Sequence, residues 1–587
     1  MSAASAASPR RWRWAGGAAG LVFAVLVLRF WHPVYGFTRF LQVDAANDAT
    51  NLPAFREQPI YRYRNTGGYD GQYYAQIAYD PSIRTPALHT AVDNLEYRAR
   101  RILPSVTAYL LAGGRPTLIA AVYALLNPLA WLVLAALLWS ILPVTDGRSF
   151  AAWGGVMFSA GALAAVRYAL TDLIAVTLTV AALGRLTAAA GRSATSLPPE
   201  ALAKGGGHAL TSAVVRDRTR SDVKRARSSR STRSAIVLAL AALSRETALL
   251  AVPALWTRPW FSRRNAAVTA VATMPILLWL VYLRWQLGPG DAGLSNFAWP
   301  FQGWAEKLSA TVHAVGGRED PLLVASTLLA VIGVSVQAAY CLLRPQWDDP
   351  WGRVGLIYSA LLLCLGTAVW EGFPGAAFRA VLPLTVACNL ILVRRRAGWG
   401  WLAGANLGVA AGLLALLQVP DDPGEIGAAH PAHGRIVAQA VSGWYGAEHN
   451  GRHRWAWASG DAVVRLTAWP RSAATVRCSA DLRSLSGQSV TISEGSRLCW
   501  SGEVSAGKTT ASWVADLVEG QATLTFRGQA RTLGTTRSTS ESNSSTSALK
   551  LSASGTSHSS APGDPRALAF ALYDLKMTDL DVRTHTP

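Results

Sequence analysis

The stretch PTLIAAVYALLNPLAWLVLAALLWSIL, residues Pro116–Leu142, carries no charged side chain. It is longer than the about 20 apolar residues that cross a bilayer as one helix. Outward from it, comparable runs occupy Ala15–Trp31, Phe150–Ala169, Leu173–Ala190, Ala267–Leu287, Pro321–Leu343, Val354–Trp370, Ala380–Val393 and Trp399–Val419. Ser234–Trp256 is apolar except for Ser244, Arg245, Glu246 and Thr247 at its middle. Ile102–Leu111 is too short to span and predicts a partly inserted helix. The expected fold over 1–419 is a multi-pass α-helical membrane protein of about ten spans. Composition agrees: 15% of the 587 residues are charged, where a soluble domain carries about a quarter, and the mean hydropathy is +0.21.

Charge sets the expected orientation. The net charge of +20 lies largely in short segments between spans, which speaks to membrane topology and not to nucleic acid, since no recognition motif accompanies it. Arg10, Arg11 and Arg13 precede the first apolar run, and no small-residue cleavage site follows, so that run reads as an uncleaved span with a cytoplasmic N-terminus. If Ser234–Trp256 were one helix, Arg258, Arg263, Arg264 and Arg394–Arg396 would fall outside. If it is a helical hairpin bent at Ser244–Thr247, all of them fall inside, as cytoplasmic loops require. The hairpin is the preferred reading. It places the first loop (32–101), the bend, Glu371–Arg379 and everything after the last span outside the cytoplasm. The segment 191–233 is Ser-, Arg- and Gly-rich without apolar periodicity and predicts a disordered basic cytoplasmic insertion.

After a Pro- and Gly-containing linker (420–436), the pattern changes to period two: Val464 and Leu466 alternate with Arg465 and Thr467, and Ala522, Leu524 and Phe526 with Thr523, Thr525 and Arg527. Such alternation predicts an extracytoplasmic β-sandwich over 437–587, with a Ser/Thr-rich loop at 532–560. Trp444, Trp455 and Trp457 cluster at its start and fit either a sugar-contacting platform or core packing. Cys478 and Cys499 could pair or remain two separate thiols. None of the five cysteines has metal-ligand spacing.

Chemistry concentrates in the first loop. In Gly67-Gly68-Tyr69-Asp70-Gly71-Gln72-Tyr73-Tyr74 the glycines permit a tight turn that presents Asp70 at the start of a short helix. Asp70 is equally placed to cap that helix. Arg98 and Arg101 edge the helix that begins at Ile102. They fit a phosphate cradle, or anchoring at the membrane surface. Arg245 and Glu246 are costly within an apolar run and mark a functional site or a structural ion pair. Glu371 and Arg379 flank another outer turn, and Arg167 and Asp172 a further one.

The run Gly68–Tyr74 with Asp80-Pro81, then Tyr97-Arg98 and Arg101-Ile102-Leu103-Pro104, Arg245-Glu246-Thr247, and Phe378-Arg379 with Leu382-Pro383 resembles bacterial membrane glycosyltransferases of the GT-C type. The resemblance covers roughly Arg11–Val419, and the insertion at 191–233 departs from it. It implies a polyprenyl-phosphate sugar as donor, a cell-envelope glycan, lipid or protein as acceptor, and the bacterial inner membrane as location. Asp70 would be the general base, supported by Tyr69, Gly71, Gln72 and Tyr73. Arg98, Arg101, Arg245, Glu246, Glu371 and Arg379 would bind substrate or phosphate, with inversion at the sugar. A divalent metal stays open, because no Asp-x-Asp pair stands in the first loop, although Asp44 and Asp48 precede the motif. Two other classes compete: a transporter or flippase for lipid-linked glycan, and a non-catalytic glycan-binding scaffold.

Overall fold

The computed structural model describes residues 9–32, 34–63, 66–195, 231–290, 293–317, 319–419, 425–429, 435–445, 448–449, 453–469, 473–485, 487–529, 531–532 and 567–581. The chain divides into a helical unit that runs to Val419 and a β unit that begins at Pro420.

The helical unit comprises α1 (Pro9–Leu28), α2 (Asp70–Ile77), α3 (Ile102–Leu111), α4 (Pro116–Ile141), α5 (Gly147–Met157), α6 (Ala160–Arg167), α7 (Asp172–Thr195), α8 (Ser231–Ser244), α9 (Arg263–Leu287), α10 (Gln302–Ala314), α11 (Pro321–Leu343), α12 (Pro350–Leu363), α13 (Leu382–Arg394), α14 (Trp399–Ala405) and α15 (Val409–Leu417). Among the described residues, 6 helical segments are long and apolar enough to cross a membrane: Arg11–Leu28, Pro116–Ile141, Gly147–Arg167, Arg263–Leu287, Pro321–Leu343 and Trp399–Leu417. The other apolar runs form shorter helices, so length and composition support six spans where about ten were expected.

Three expected spans are interrupted, two of them at polar side chains. Ser159 caps α6 by accepting from the Ala162 amide, which splits Phe150–Ala169. Val354–Trp370 breaks after α12, and a short helix resumes at Thr367. Trp399–Val419 breaks at Asn406, whose amide group exchanges hydrogen bonds of 2.9 and 3.0 Å with Asn389 on α13. Of the expected insertion, 191–195 continue α7 and 231–233 begin α8, while 196–230 lie outside the described residues.

Ser234–Trp256 is broken at Arg245, which has extended backbone (φ −158°, ψ 124°) between α8 and a 3-10 segment, Glu246–Leu255. Both ends of this pair return to one place. Ser231 at the start of α8 accepts a 2.7 Å hydrogen bond from Arg264 at the start of α9. The carbonyls of Pro253 and Trp256 accept from Arg353 at the start of α12. The bend lies at the far end, where Arg245 meets Asp172. The pair is therefore a hairpin. Beside its open ends sit the pairs Arg258–Asp348 and Arg394–Asp349. The arginines grouped there by sequence are thus grouped in space, and Tyr340 packs on Trp401 near the same end.

The first loop folds as a compact lobe between α1 and α4. Val43–Asp44 pairs in parallel with Arg62–Tyr63. The buried Gln76 side chain donates to Asn51 and to the Ala91 carbonyl, and accepts from the Leu52 amide at 2.8 Å. This ties three segments of the loop to α2.

The β unit holds β1 (Glu425–Ala429), β2 (Arg435–Trp444), β3 (Glu448–His449), β4 (Arg454–Trp469), β5 (Ala474–Ser484), β6 (Gln488–Glu494), β7 (Arg497–Val504), β8 (Thr509–Leu517), β9 (Gln521–Arg527) and β10 (Phe570–Asp581). They form one 10-stranded antiparallel, barrel-like sheet in the order β8-β5-β10-β4-β9-β6-β7, with β2 and β3 also on β4, and β1 on β2. This corrects the expected sandwich of two sheets. The cause is β4, which pairs through Trp455–Trp457 with β10 and through Ala462–Thr467 with β9, and turns at Gly460 (φ +141°) between them. The alternation read in the sequence survives: Val464, Leu466, Leu524 and Phe526 point into the core. Part of the expected linker is strand, since Ala429 pairs with Ile436. Of the Ser/Thr-rich loop, Thr532 pairs with Ala567, and 533–560 lie outside the described residues.

Candidate functional site

Gly67 and Gly68 take φ of +70° and +71°, which side chains with a Cβ disfavour. They turn the chain into α2. The N-cap is Tyr69, with no side-chain cap bond, and Asp70 is the first residue of the helix. The capping role open to Asp70 is not the one it takes. Its Oδ1 lies 2.9 Å from Arg98 Nη1. Arg98 also clamps Asp93 through Nε and Nη2 at 3.0 and 2.8 Å, and its guanidinium lies 5.2 Å from the Tyr73 ring centre. Burial alone would raise the Asp70 pKa, but the guanidiniums of Arg98, Arg379 and Arg101 outweigh it and hold the carboxyl below its ordinary value.

The rest of the motif is positional. A Cβ on Gly71 would stand 2.3 Å from the Tyr168 carbonyl oxygen, so only glycine lets α2 approach the α6–α7 turn this closely. Gln72 is buried and accepts from the Asp44 amide. Tyr69 stacks on Tyr168 and accepts a 3.2 Å hydrogen bond from Arg379.

Arg101 is buried and fully engaged. Its Nε lies 3.1 Å from Glu246, and it donates to Tyr74 and Tyr97, each at 2.7 Å. Arg245 Nη1 lies 2.6 Å from Asp172, and Arg379 Nη1 lies 3.5 Å from the same carboxylate. Asp70, Arg98, Arg101, Arg245, Glu246 and Arg379 thus come together from the loop, the hairpin bend and the approach to α13.

Glu371 does not join them. It is exposed, on the turn whose Gly372 carbonyl accepts from Lys307. Asp44 and Asp48 are structural: Asp44 accepts from the Ala46 and Thr66 amides, and Asp48 pairs with Arg62. The tryptophans form no open platform. Trp455 stacks on Tyr573 and, like Trp457, is buried, while the half-buried Trp444 makes T-shaped contacts with Phe526 and Phe570. Cys478 and Cys499 are both free thiols.

Sequence reasoning underrated Asp172, because a carboxylate in a turn between helices is ordinary there. Asp93, Tyr74 and Tyr97 carried no signal beyond lying near Arg98. Arg167 is buried against the rings of Phe30 and Tyr168 at 4.8 and 5.0 Å, and its Nη1 has no hydrogen-bond partner. Among the described residues no group of three or more His, Cys, Asp or Glu is placed to hold a metal ion.

No known protein family, curated protein or solved structure matches this chain.

Proposed function

We propose that this chain transfers a sugar from a polyprenyl-phosphate carrier to a glycan, lipid or protein acceptor of the cell envelope. The observation that supports this reading is the Asp70–Arg98 pair, in the field of Arg101 and Arg379, at the end of the helix bundle away from Arg258, Arg264 and Arg394. An ionised carboxylate is available to accept the proton of an acceptor hydroxyl as the hydroxyl attacks the anomeric carbon. Positive charge developing on the sugar and negative charge developing on the departing phosphate need opposite partners. Asp70 and the surrounding guanidiniums supply both. Direct displacement inverts the anomeric carbon. The exposed Tyr109, Leu110 and Leu111 of α3, beyond Arg101, offer contact for a lipid tail.

The arginine-rich end of the bundle favours the cytoplasmic side, as loop charge does in bacterial inner-membrane proteins. The reaction then lies on the outer face, and the N-terminus lies inside. With the N-terminus inside, a β unit on the outer side needs an odd number of crossings, so this reading takes an odd number of the shorter helices, α7 and α13 among them, as crossings beyond the six.

The test is transfer of labelled sugar from a panel of polyprenyl-phosphate sugars in membranes, with and without a chelator. Wild type is compared with Asp70→Asn at equal expression. Asn keeps the shape but cannot take the proton, so transfer should fall by about 10²–10⁴-fold. Equal transfer by both proteins removes Asp70 as the base. The second reading, export of a lipid-linked glycan, is favoured by the charged bend of a broken helix among spans. It predicts movement of the intact carrier across the membrane with no transfer.

A further inference from the structure

Asp172 opens α7, and its side chain is only 1% exposed. A carboxylate so deeply buried is costly unless it is paired. Its two oxygens face two guanidiniums from different elements: Arg245 on the hairpin bend and Arg379 before α13, at 2.6 and 3.5 Å. Neither oxygen accepts a well-directed hydrogen bond, so the contact is one of charge.

The arginines keep donors in reserve. A guanidinium has five N–H groups. Arg245 Nε is buried without a partner, and Arg379 commits Nη2 to Tyr69. A small cavity adjoins the pair, lined by Asp172, Arg245, Thr247, Tyr358 and Arg379. Two guanidiniums that share one carboxylate are too close to serve separate anions. Without that carboxylate they repel, and the bend loses its anchor to α7.

We propose that Asp172 is a positioning residue that holds Arg245 and Arg379 together as one receptor for a single phosphate group. The inference rests on the glycosyl-transfer reading for the source of that phosphate, a lipid carrier and not free phosphate. Asp172 acts through the two arginines and touches no reacting atom. Asp70 has its own direct partner in Arg98, so acceptor activation and phosphate capture have separate carboxylates, although Arg379 acts electrostatically on both.

The experiment is direct binding of polyprenyl phosphate, and separately of inorganic phosphate, to the full-length protein in lipid nanodiscs. Wild type should bind the lipid phosphate and bind inorganic phosphate more weakly. Asp172→Asn should raise the Kd for the lipid phosphate at least about tenfold, and Arg245→Lys should do the same, because lysine cannot reproduce the planar fork. The double variant should be no weaker than the weaker single one, since the two residues act as a unit. Asp348→Asn, which breaks an exposed pair with Arg258 at the other end of the bundle, should leave the Kd unchanged.

The inference is overturned if Asp172→Asn binds as wild type does, if its loss adds to that of Arg245→Lys, or if wild type binds neither ligand. Equal affinity for the two phosphates overturns the lipid source. If Asp172→Asn does not fold, Arg245→Lys and Arg379→Lys carry the test, and additive losses between them overturn the shared receptor. Coupled phosphate binding without sugar transfer removes the transferase and keeps Asp172. Unimpaired lipid-phosphate binding and transfer in Asp172→Asn does the reverse.

Discussion

The Tyr69 ring lies almost flat on the Tyr168 ring, with centroids 4.1 Å apart. This stack joins the glycine-rich turn before α2 to the turn that leads into Asp172, and Gly71 makes the approach possible. Gly71→Ala drives a Cβ into the Tyr168 carbonyl. It should cost about 1–3 kcal/mol of stability, as overpacking does, and should depress sugar transfer more than protein yield. Thermal unfolding alongside the transfer assay checks this. Undiminished transfer would show that the stack does not position Asp70.

The acid limb of activity reports the Arg98–Asp70 pair. Burial raises the Asp70 pKa, the neighbouring guanidiniums more than reverse that, and the net value lies below the ordinary 3.8. A depressed carboxyl is ionised at neutral pH. What its ionisation adds to stability is present above the unfolded pKa and disappears as pH falls through the folded one. Wild-type transfer should therefore hold down to about pH 4. Arg98→Gln removes the leading opposing charge, and its acid limb should move upward. A pH–rate profile of both proteins decides it, and an unmoved limb would detach Asp70 from Arg98.

Arg101 and Glu246 are 145 positions apart in sequence and bonded in the fold. Arg101→Met leaves Glu246, Tyr74 and Tyr97 without their shared donor, and should cost about 3 kcal/mol, as breaking a buried pair does. Replacing Glu246 with Met as well should recover part of the loss. Apparent melting temperatures of the two variants test the pairing. A double variant less stable than the single one contradicts it.

The two cysteines of the β unit should react differently. Burial, chiefly, pushes the Cys478 thiol up to about 12, while Cys499 is half-buried. A water-soluble maleimide at neutral pH should label Cys499 and spare Cys478 until the protein is denatured. Peptide mass spectrometry reads this out, and labelling of Cys478 in the folded protein would contradict the packing of β5.

Trp457→Ala should act on stability rather than on glycan recognition. The side chain is buried, and deletion of such a ring costs about 3–5 kcal/mol. Thermal unfolding, paired with sugar-binding measurements on the full-length chain, separates the two. A stable variant that loses sugar binding would restore the platform.

The hairpin was legible because two independent signals met at Ser234–Trp256: charged residues in the middle of an apolar run, and arginine clusters that only a doubled-back chain leaves on one side. Asp70 was legible from its glycines and the short helix that follows. The breaks at Ser159 and Asn406 were not, because an apolar composition continues through them and the causes are a local cap and a hydrogen bond to Asn389. Asp172 was undervalued because its importance comes from Arg245 and Arg379, which are 73 and 207 positions later in the chain. The curl of the sheet was hidden for the same reason. It depends on β4 having different neighbours along its length, and alternation reports only which side a residue faces.

The hairpin also governs parity. A segment that enters and leaves by one side adds no net crossing, whereas a straight helix over the same residues would add one. Every later helix would then run in the opposite sense. Arg245, held by Asp172 at the tip, therefore does more than present a guanidinium: the pair ties the turn that sends the chain back on itself to α7.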